Sequence, residues 1–375
     1  MSIKDTKQSE LIISDINVTN WSLPLLAPFR VATRTATDAG NVLIRIFGDD
    51  GTVGFGAAAP VDYITGESQL TVITALTKLA PLLLGQRYDS LLSLLQTISR
   101  ELSDQPAARA GIEMALYDLW AKHWKIPLWR HFGGSDQMLQ TDITIPIVCS
   151  DDARVLVREA LSNGFKVFKI KIGDSDGHDA DFARIAAVRE SAPGARLRID
   201  ANQAFEPPDA VEFVRRAQKL TQNIELVEQP VPKSDYIGLK YVKEHVDVPV
   251  FADESARSLE QVKTLIEMSA VDGINVKLMK SGISEAVEIA RLCKRSNIKL
   301  MIGCMLESPL GIAAAASIAG GLGGFEFVDL DSHKLLKPVI SLRGGFSGHG
   351  STLELCPNSA GWGIDFTESQ DGTNT

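Results

Sequence analysis

Four cysteines, Cys149, Cys293, Cys304 and Cys356, are scattered through 375 residues with no CxxC pair among them. That scarcity argues against a disulfide framework or a thiolate metal site and predicts free thiols. The six histidines show neither HxH nor HExxH spacing, and no GxSxG elbow is present, so a zinc hydrolase and a serine hydrolase of the common types are both disfavoured. Long hydrophobic runs are missing as well. Residues 1–10 are polar and lack the apolar core of a signal peptide, and the small-residue stretch 312–319 is too short to span a bilayer. Basic residues are the minority, with 38 Lys and Arg against 47 Asp and Glu and a net charge of −9. No basic stripe exists to bind nucleic acid or an anionic membrane, and the expectation is a soluble, cytoplasmic chain with neither partner.

What the chain does contain is a repeat of charge. Lys171, Asp200, Glu228, Asp253 and Lys277 follow one another at gaps of 29, 28, 25 and 24 residues, each ending an apolar run. That interval is about one strand, one helix and two loops of a βα unit. Eight strand-like runs are legible, at 143–148, 167–172, 197–200, 224–228, 250–253, 274–278, 300–305 and 325–330. Amphipathic helical patterns such as 209–220, 259–268 and 284–294 alternate with them. Near-continuous apolar strands that end in charges predict an α/β fold, a (β/α)8-type barrel whose polar mouth lies at the strand C-termini. About 135 residues precede it. There, 42–47 and 52–55 flanking Gly48-Asp49-Asp50-Gly51 read as a hairpin, and 67–84 and 107–123 as helices. The expected division is an α+β unit over 1–135, a barrel over 136–340 and a C-terminal segment over 341–375 that completes the first unit. Its last residues, 368–375, are polar and expected to fray.

Three carboxylates on adjacent strands, Asp200, Glu228 and Asp253, would repel one another at a barrel mouth unless a cation lay between them. An all-oxygen set suits Mg²⁺. The alternative is a set of structural ion pairs. Lys171 on the second strand and Lys277 on the sixth would face each other across a ring of eight. One amine could then remove a proton and the other return it from the opposite side, which inverts a stereocentre. Lysine is a poor base at neutral pH, so its pKa is expected to fall through burial, a nearby metal and the neighbouring Lys169. Lys169 shares a strand face with Lys171.

The segments Lys169-Ile170-Lys171, Asp200-Ala201-Asn202-Gln203, Val227-Glu228-Gln229-Pro230, Ala252-Asp253-Glu254-Ser255 and Asn275-Val276-Lys277-Leu278-Met279-Lys280 resemble the muconate-lactonizing subgroup of the enolase superfamily. Ile64-Thr65-Gly66-Glu67-Ser68, Gly303-Cys304-Met305-Leu306-Glu307-Ser308 and Asp329-Leu330-Asp331 are most similar to its dipeptide epimerases. The resemblance implies a modified (β/α)7β barrel under an N-terminal capping domain, with specificity segments at 28–35 and 63–67. It further implies Mg²⁺ held by Asp200, Glu228 and Asp253, Lys171 and Lys277 as the acid/base pair, and Lys169 polarising the substrate carboxylate. Mg²⁺ would stabilise the enediolate formed when a proton leaves the carbon beside that carboxylate.

Asp329 and Asp331 resemble an anchor for the free ammonium of a dipeptide; salt bridges to Lys334 or Lys337 are the alternative. Arg34, or less favourably Arg30, would face the substrate side chain, unless Arg34 pairs with Asp38. Thr144, Met305 and Glu307 complete the substrate-binding candidates, Glu307 as an orienter of a lysine or of the peptide group. Leu306 favours a neutral or hydrophobic side chain. The reading is therefore an isomerase that epimerises the C-terminal residue of L-Ala-Xaa, broad or hydrophobic Xaa ahead of Glu. N-succinylamino-acid racemase, o-succinylbenzoate synthase and muconate cycloisomerase chemistries share the same five residues; a succinyl carboxylate would be repelled by Asp329 and Asp331. A non-catalytic binding protein would be expected to have lost one of the five. Gly54-Phe55-Gly56 follows a hairpin and reads as no dinucleotide site, and the glycines of 344–350 turn the chain. His333 and His349 read as ordinary residues. Assembly into a homo-oligomer is open.

Overall fold

Eight short apolar strands form one parallel sheet in strict chain order: Ile143–Ile145, Val167–Lys171, Arg196–Asp200, Ile224–Glu228, Val250–Ala252, Gly273–Val276, Lys299–Gly303 and Phe327–Asp329. A computed structural model describes residues 11–32, 34–86, 91–339 and 341–367; the expected frayed end at 368–375 and the polar start at 1–10 lie outside them. Seven helices connect the eight strands, and the last strand is followed only by the short turn Ser332–Leu335, so the barrel is (β/α)7β. Strand-to-strand ladders run from the first strand to the eighth. The ring closes through single contacts, the Asp142 N–H donating to the Val328 carbonyl at 3.2 Å and the Leu330 N–H to Thr141 Oγ1 at 2.8 Å.

The sixth strand stops at Val276 and a helix begins at Leu278, so the strand ends two residues before the apolar run 274–278 does. That helix, Leu278–Arg295, breaks at Gly282, where φ is 74°. Glycine is required there twice over. The left-handed backbone disfavours a side chain, and a Cβ would stand 2.8 Å from Arg109 Nε.

The N-terminal unit is a three-stranded antiparallel sheet, Ile13–Val31, Arg34–Gly48 and Val53–Ala58, covered by the helices Gln69–Leu83, Leu91–Glu101 and Pro106–His123. The predicted hairpin is its second and third strands. The 19-residue first strand is not evident in the sequence, because Pro24 and Pro28 interrupt it and only four of its side chains are buried. The segment 28–35 is therefore the tip of a second hairpin, with Phe29 opposite Ala36 and Val31 opposite Arg34.

Helix Pro106–His123 is buried nearly all round, between this sheet and the barrel. Small residues make the approach possible. A Cβ on Gly54 would lie 2.2 Å from the Ala115 carbonyl oxygen, and one on Gly56 would lie 2.1 Å from that of Gly111. The two glycines of Gly54-Phe55-Gly56 thus serve helix-on-sheet packing. On its other side the helix meets the break at Gly282: Glu113 Oε2 accepts the N–H groups of Ile283 and Ser284 at 2.6 and 2.9 Å and so caps the restarted barrel helix.

Residues 342–366 bind both units. Thr352–Leu355 pairs with Met138–Gln140 beside the barrel seam, while Trp362 donates from its ring to the Met114 carbonyl and Phe366 packs on Trp21 and Phe55 of the N-terminal sheet. Among the described residues no helix is long and apolar enough to cross a membrane.

Candidate active site

The five recurring charges stand at one rim. Lys171, Asp200 and Glu228 are the last residues of their strands, and Asp253 and Lys277 come one residue after theirs. Backbone in the left-handed region follows two of the acids, with φ of 42° at Asn202, 71° at Gln203 and 38° at Gln229. For non-glycine residues such a conformation has a cost, and side-chain bonds hold it. Asn202 donates its N–H to Asp200 and its amide to Glu254 Oε1 at 3.2 Å. Gln229 Oε1 accepts the N–H groups of Asp253 and Ser255, both at 3.0 Å, tying the turn after Glu228 to the next ligand loop.

Asp200, Glu228 and Asp253 are almost fully buried and encircled by four lysines. Lys169 Nζ lies 2.9 Å from Asp200, 2.9 Å from Glu228 and 2.7 Å from Asp329. Lys171 Nζ stands 2.5 Å from Asp200 and Lys277 Nζ 2.6 Å from Asp253. Lys280, quoted in the sequence motif but given no role there, reaches Asp253 Oδ1 at 2.7 Å and the carbonyls of Asp253 and Asn275. Burial raises the Asp200 and Asp253 carboxyls, but the lysines outweigh it and hold both well below the usual carboxylate range. Glu228 is different. Burial and the Asp200 charge push it up to about 8, and its Oε2 has no donor in hydrogen-bonding geometry although Lys169 Nζ is 2.9 Å away.

An under-satisfied buried oxygen inside a converging all-oxygen set is what a hard divalent cation fits, and Mg²⁺ matches the donors in type. The expected fall in lysine pKa is not seen at Lys277. Burial lowers it, but Asp253 more than compensates and the ammonium is held above the ordinary lysine range. The reason is that the acids here have lysines as their counter-charges.

One cavity collects the candidates. Lys169, Lys171, Lys277, Asp253, Asp329, Asp331, Thr144, Met305 and Arg34 all line it. Phe29, Val31, Ala36, Val61, Tyr63, Ile64, Leu306 and Leu335 form its apolar wall. Arg34 lies over the Tyr63 ring at 5.0 Å and 3.9 Å from Asp62, so its partner is not Asp38. Asp329 pairs with Lys169, and Asp331 accepts the Thr144 N–H at 2.6 Å; neither salt bridge expected as an alternative, to Lys334 or Lys337, forms. Burial, then the Asp329 charge, raises Asp331 to about 6.

Three of the expected residues stand outside the cavity lining. Glu307 does not line the cavity: Oε1 accepts the Met305 N–H at 2.9 Å and the side chain turns toward Gly311 at the start of the next helix. Arg30 is drawn away by Asp174 and Ser175 at 3.1 and 2.9 Å. Glu67, within the predicted specificity segment 63–67, accepts the N–H groups of Ala107 and Ala108 and caps a helix. One participant went unnoticed. Asp142, just before the first strand, is fully buried with its ligand atom within 4.8 Å of those of Asp329 and Asp331; Arg198 takes its Oδ2 at 2.7 Å. A single acid outside the repeating interval offers no pattern by which to find it.

Residues 14–133 match the mandelate racemase / muconate lactonizing enzyme N-terminal domain, and residues 152–370 match the enolase C-terminal domain-like family. The chain is 37% identical to the L-Ala-D/L-Glu epimerase of Bacillus subtilis (strain 168), over 93% of this chain and 95% of that protein. It is 38% identical to the hydrophobic dipeptide epimerase of Citrifermentans bemidjiense, over 91% of this chain and 94% of that one. The crystal structure of the dipeptide epimerase from Enterococcus faecalis V583, complexed with Mg and the dipeptide L-Leu-L-Tyr, superposes with a TM-score of 0.89 at 35% identity, covering 94% and 99% of the two chains. With both domains matched and relatives aligned along nearly its whole length, the chain belongs to the mandelate racemase / muconate lactonizing enzyme family of the enolase superfamily, among the dipeptide epimerases.

Proposed function

We propose that this protein is an Mg²⁺-dependent dipeptide epimerase that inverts the α-carbon of the C-terminal residue of L-Ala-Xaa by two-base proton transfer. The observation that carries this reading is the placement of two amines. Lys171 and Lys277 line one cavity from strands four positions apart in the ring, each resting on a different acid, Asp200 and Asp253.

The ion would be held by Asp200, Glu228 and Asp253, and when bound it supplies charge neutralisation for the second negative charge that builds on the substrate carboxylate. The chain's own residues do the rest. Lys169, between the acidic trio and Asp329, orients the substrate carboxylate. Asp331 and Asp329 receive the free ammonium. Lys171 takes the α-proton on one face while Lys277 delivers a proton to the other, and the roles exchange for the opposite enantiomer. Each amine must be neutral to act as a base. At Lys277, drawing Asp253 away removes the counter-charge that holds the ammonium in its protonated form and leaves burial to favour the neutral amine.

The side-chain pocket is mostly apolar, and the charge of Arg34 is partly answered by Asp62 and Tyr63. This supports hydrophobic Xaa ahead of Glu. The apolar wall and the acidic pair together fit a dipeptide better than an N-succinyl amino acid, whose carboxylate would meet Asp331. Incubating an L-Ala-Xaa panel with the Mg²⁺-loaded enzyme in D₂O should give deuterium at the C-terminal α-carbon and both diastereomers, fastest for leucine- and phenylalanine-like Xaa. Absence of α-exchange across the whole panel sinks the proposal.

A further inference from the structure

Asn41 lies in the second strand of the N-terminal sheet, fully buried, and its side chain reaches out of that unit. Nδ2 donates to the Leu306 carbonyl at 3.0 Å and Oδ1 accepts the Ser308 N–H at 2.9 Å. One amide thus grips the loop after the seventh barrel strand with a donor and an acceptor, as a neighbouring peptide group would. Its own backbone is held in turn, for the Asn41 carbonyl accepts from Gln69 Nε2 at 2.6 Å, and the same nitrogen donates to Ser22 Oγ at 3.2 Å. Among the described residues these are the only hydrogen bonds between strand Arg34–Gly48 and residues 304–308.

The two elements joined in this way are the two sides of the side-chain pocket. Leu306 faces the cavity from the barrel, and Arg34 and Ala36, on the same strand as Asn41, face it from the cap together with Phe29. Leu306, Ala36 and Phe29 pack on one apolar cluster with Leu23, Leu25 and Ala39. Apolar packing is non-directional and tolerates sliding, whereas two directional hydrogen bonds from one side chain do not. An amide is also the one side-chain group of this size that offers both partners. Aspartate could not donate to the Leu306 carbonyl, and leucine could satisfy neither group.

We propose that Asn41 is a positioning residue that sets the separation of cap and barrel across the pocket and thereby selects the size of the substrate side chain; the selectivity half of this rests on the dipeptide reading above. The test compares the wild type with Asn41→Leu and Asn41→Asp. The measurements are kcat and KM on L-Ala-L-Ala, L-Ala-L-Leu and L-Ala-L-Phe, and amide hydrogen exchange over residues 34–36 and 306–308. The ratio of kcat/KM for the largest to the smallest side chain should shift about tenfold in Asn41→Leu, the scale of a misfitted methylene or two, mainly through KM. Asn41→Asp, which keeps the acceptor, should shift less. Exchange at Ser308 and in the hairpin should accelerate in the same order. A purely structural role would lower the melting temperature and activity equally for all three substrates, and a uniform loss overturns the proposal. If the wild type epimerises none of the dipeptides, the functional reading fails by itself. The exchange data then decide the positioning role, and unchanged exchange at 34–36 and 306–308 overturns it. Should Asn41→Leu fail to fold, Asn41→Asp carries both comparisons.

Discussion

Asp331 sits where recognition and ionisation meet. Its carboxyl is raised to about 6 by burial and by Asp329, and it is anchored by the Thr144 N–H rather than by any cation. A buried anion without a full counter-charge is a receptor for an ammonium. Replacing Asp331 by Asn should lower kcat/KM on a dipeptide by roughly 30-fold or more, on the scale of the 2–5 kcal/mol lost when one partner of a buried charge pair is truncated. An unchanged kcat/KM would remove the amine anchor from the reading. The acid should also leave a trace in pH profiles. Because the anionic form binds, KM for the dipeptide should rise as pH falls below about 6, and the rise should vanish in Asp331→Asn. Legibility at this scale follows periodicity. The five mouth residues were found because each terminates a strand at a repeating interval, whereas Asp142, Asn41 and Lys280 act through partners 56, 265 and 27 residues away in sequence, in pairs no local pattern encodes. Glu307 is a related case: strand position predicts which rim a residue reaches, but its Oε1 is taken by an N–H two residues back, while its charge still acts on Lys277.

Helices and strands were legible where their amphipathic periods are unbroken, as in Pro207–Leu220 and Leu259–Glu267. They were not where prolines interrupt a largely uncovered strand, as in Ile13–Val31. The broken helix Leu278–Arg295 shows what the cap contributes to the barrel. Its restart at Ile283 is capped by Glu113 from the other unit, and burial raises that carboxyl to about 7 against the N–H groups that lower it. A carboxyl whose pKa is higher in the folded chain binds its proton more tightly there. Its favourable contribution is complete below the unfolded value near 4.5 and is lost as pH rises through about 7. The loss amounts to roughly 3 kcal/mol at most, from 1.36 kcal/mol per pKa unit. Glu113→Gln, which imitates the protonated group, should therefore flatten the decline of melting temperature between pH 4.5 and 7 relative to the wild type. Parallel pH curves for the two proteins would show that Glu113 titrates no differently on unfolding.

At the level of the whole molecule, the mouth holds more buried charge than folding alone would favour. Four lysines and five acids, Asp329 and Asp331 included, occupy one rim. Buried ion pairs of this kind seldom add stability over apolar packing, so their presence points to a ligand. Mg²⁺ should bind the folded chain in preference to the unfolded one and raise the melting temperature by a few degrees, on the order of 2.7 kcal/mol at a hundredfold excess over Kd. Asp253→Asn should abolish the Mg²⁺-dependent rise, and equal shifts in the two proteins would place the ion elsewhere. The barrel itself was predictable because a parallel sheet repeats its unit; its closure was not. The seam between the first and eighth strands has no ladder, and Met138–Gln140 beside it is paired instead by Thr352–Leu355, with the Thr141 N–H donating to the Ser351 carbonyl at 2.8 Å. Trp362, a few residues on, is buried against Met114 of the cap helix. During synthesis on the ribosome, every barrel strand is therefore available before the segment that staples the seam and fastens the cap has left the exit tunnel. The nascent ring can make its two closing contacts, at 141–142 and 328–330, but waits for residues 351–366 to reinforce that edge.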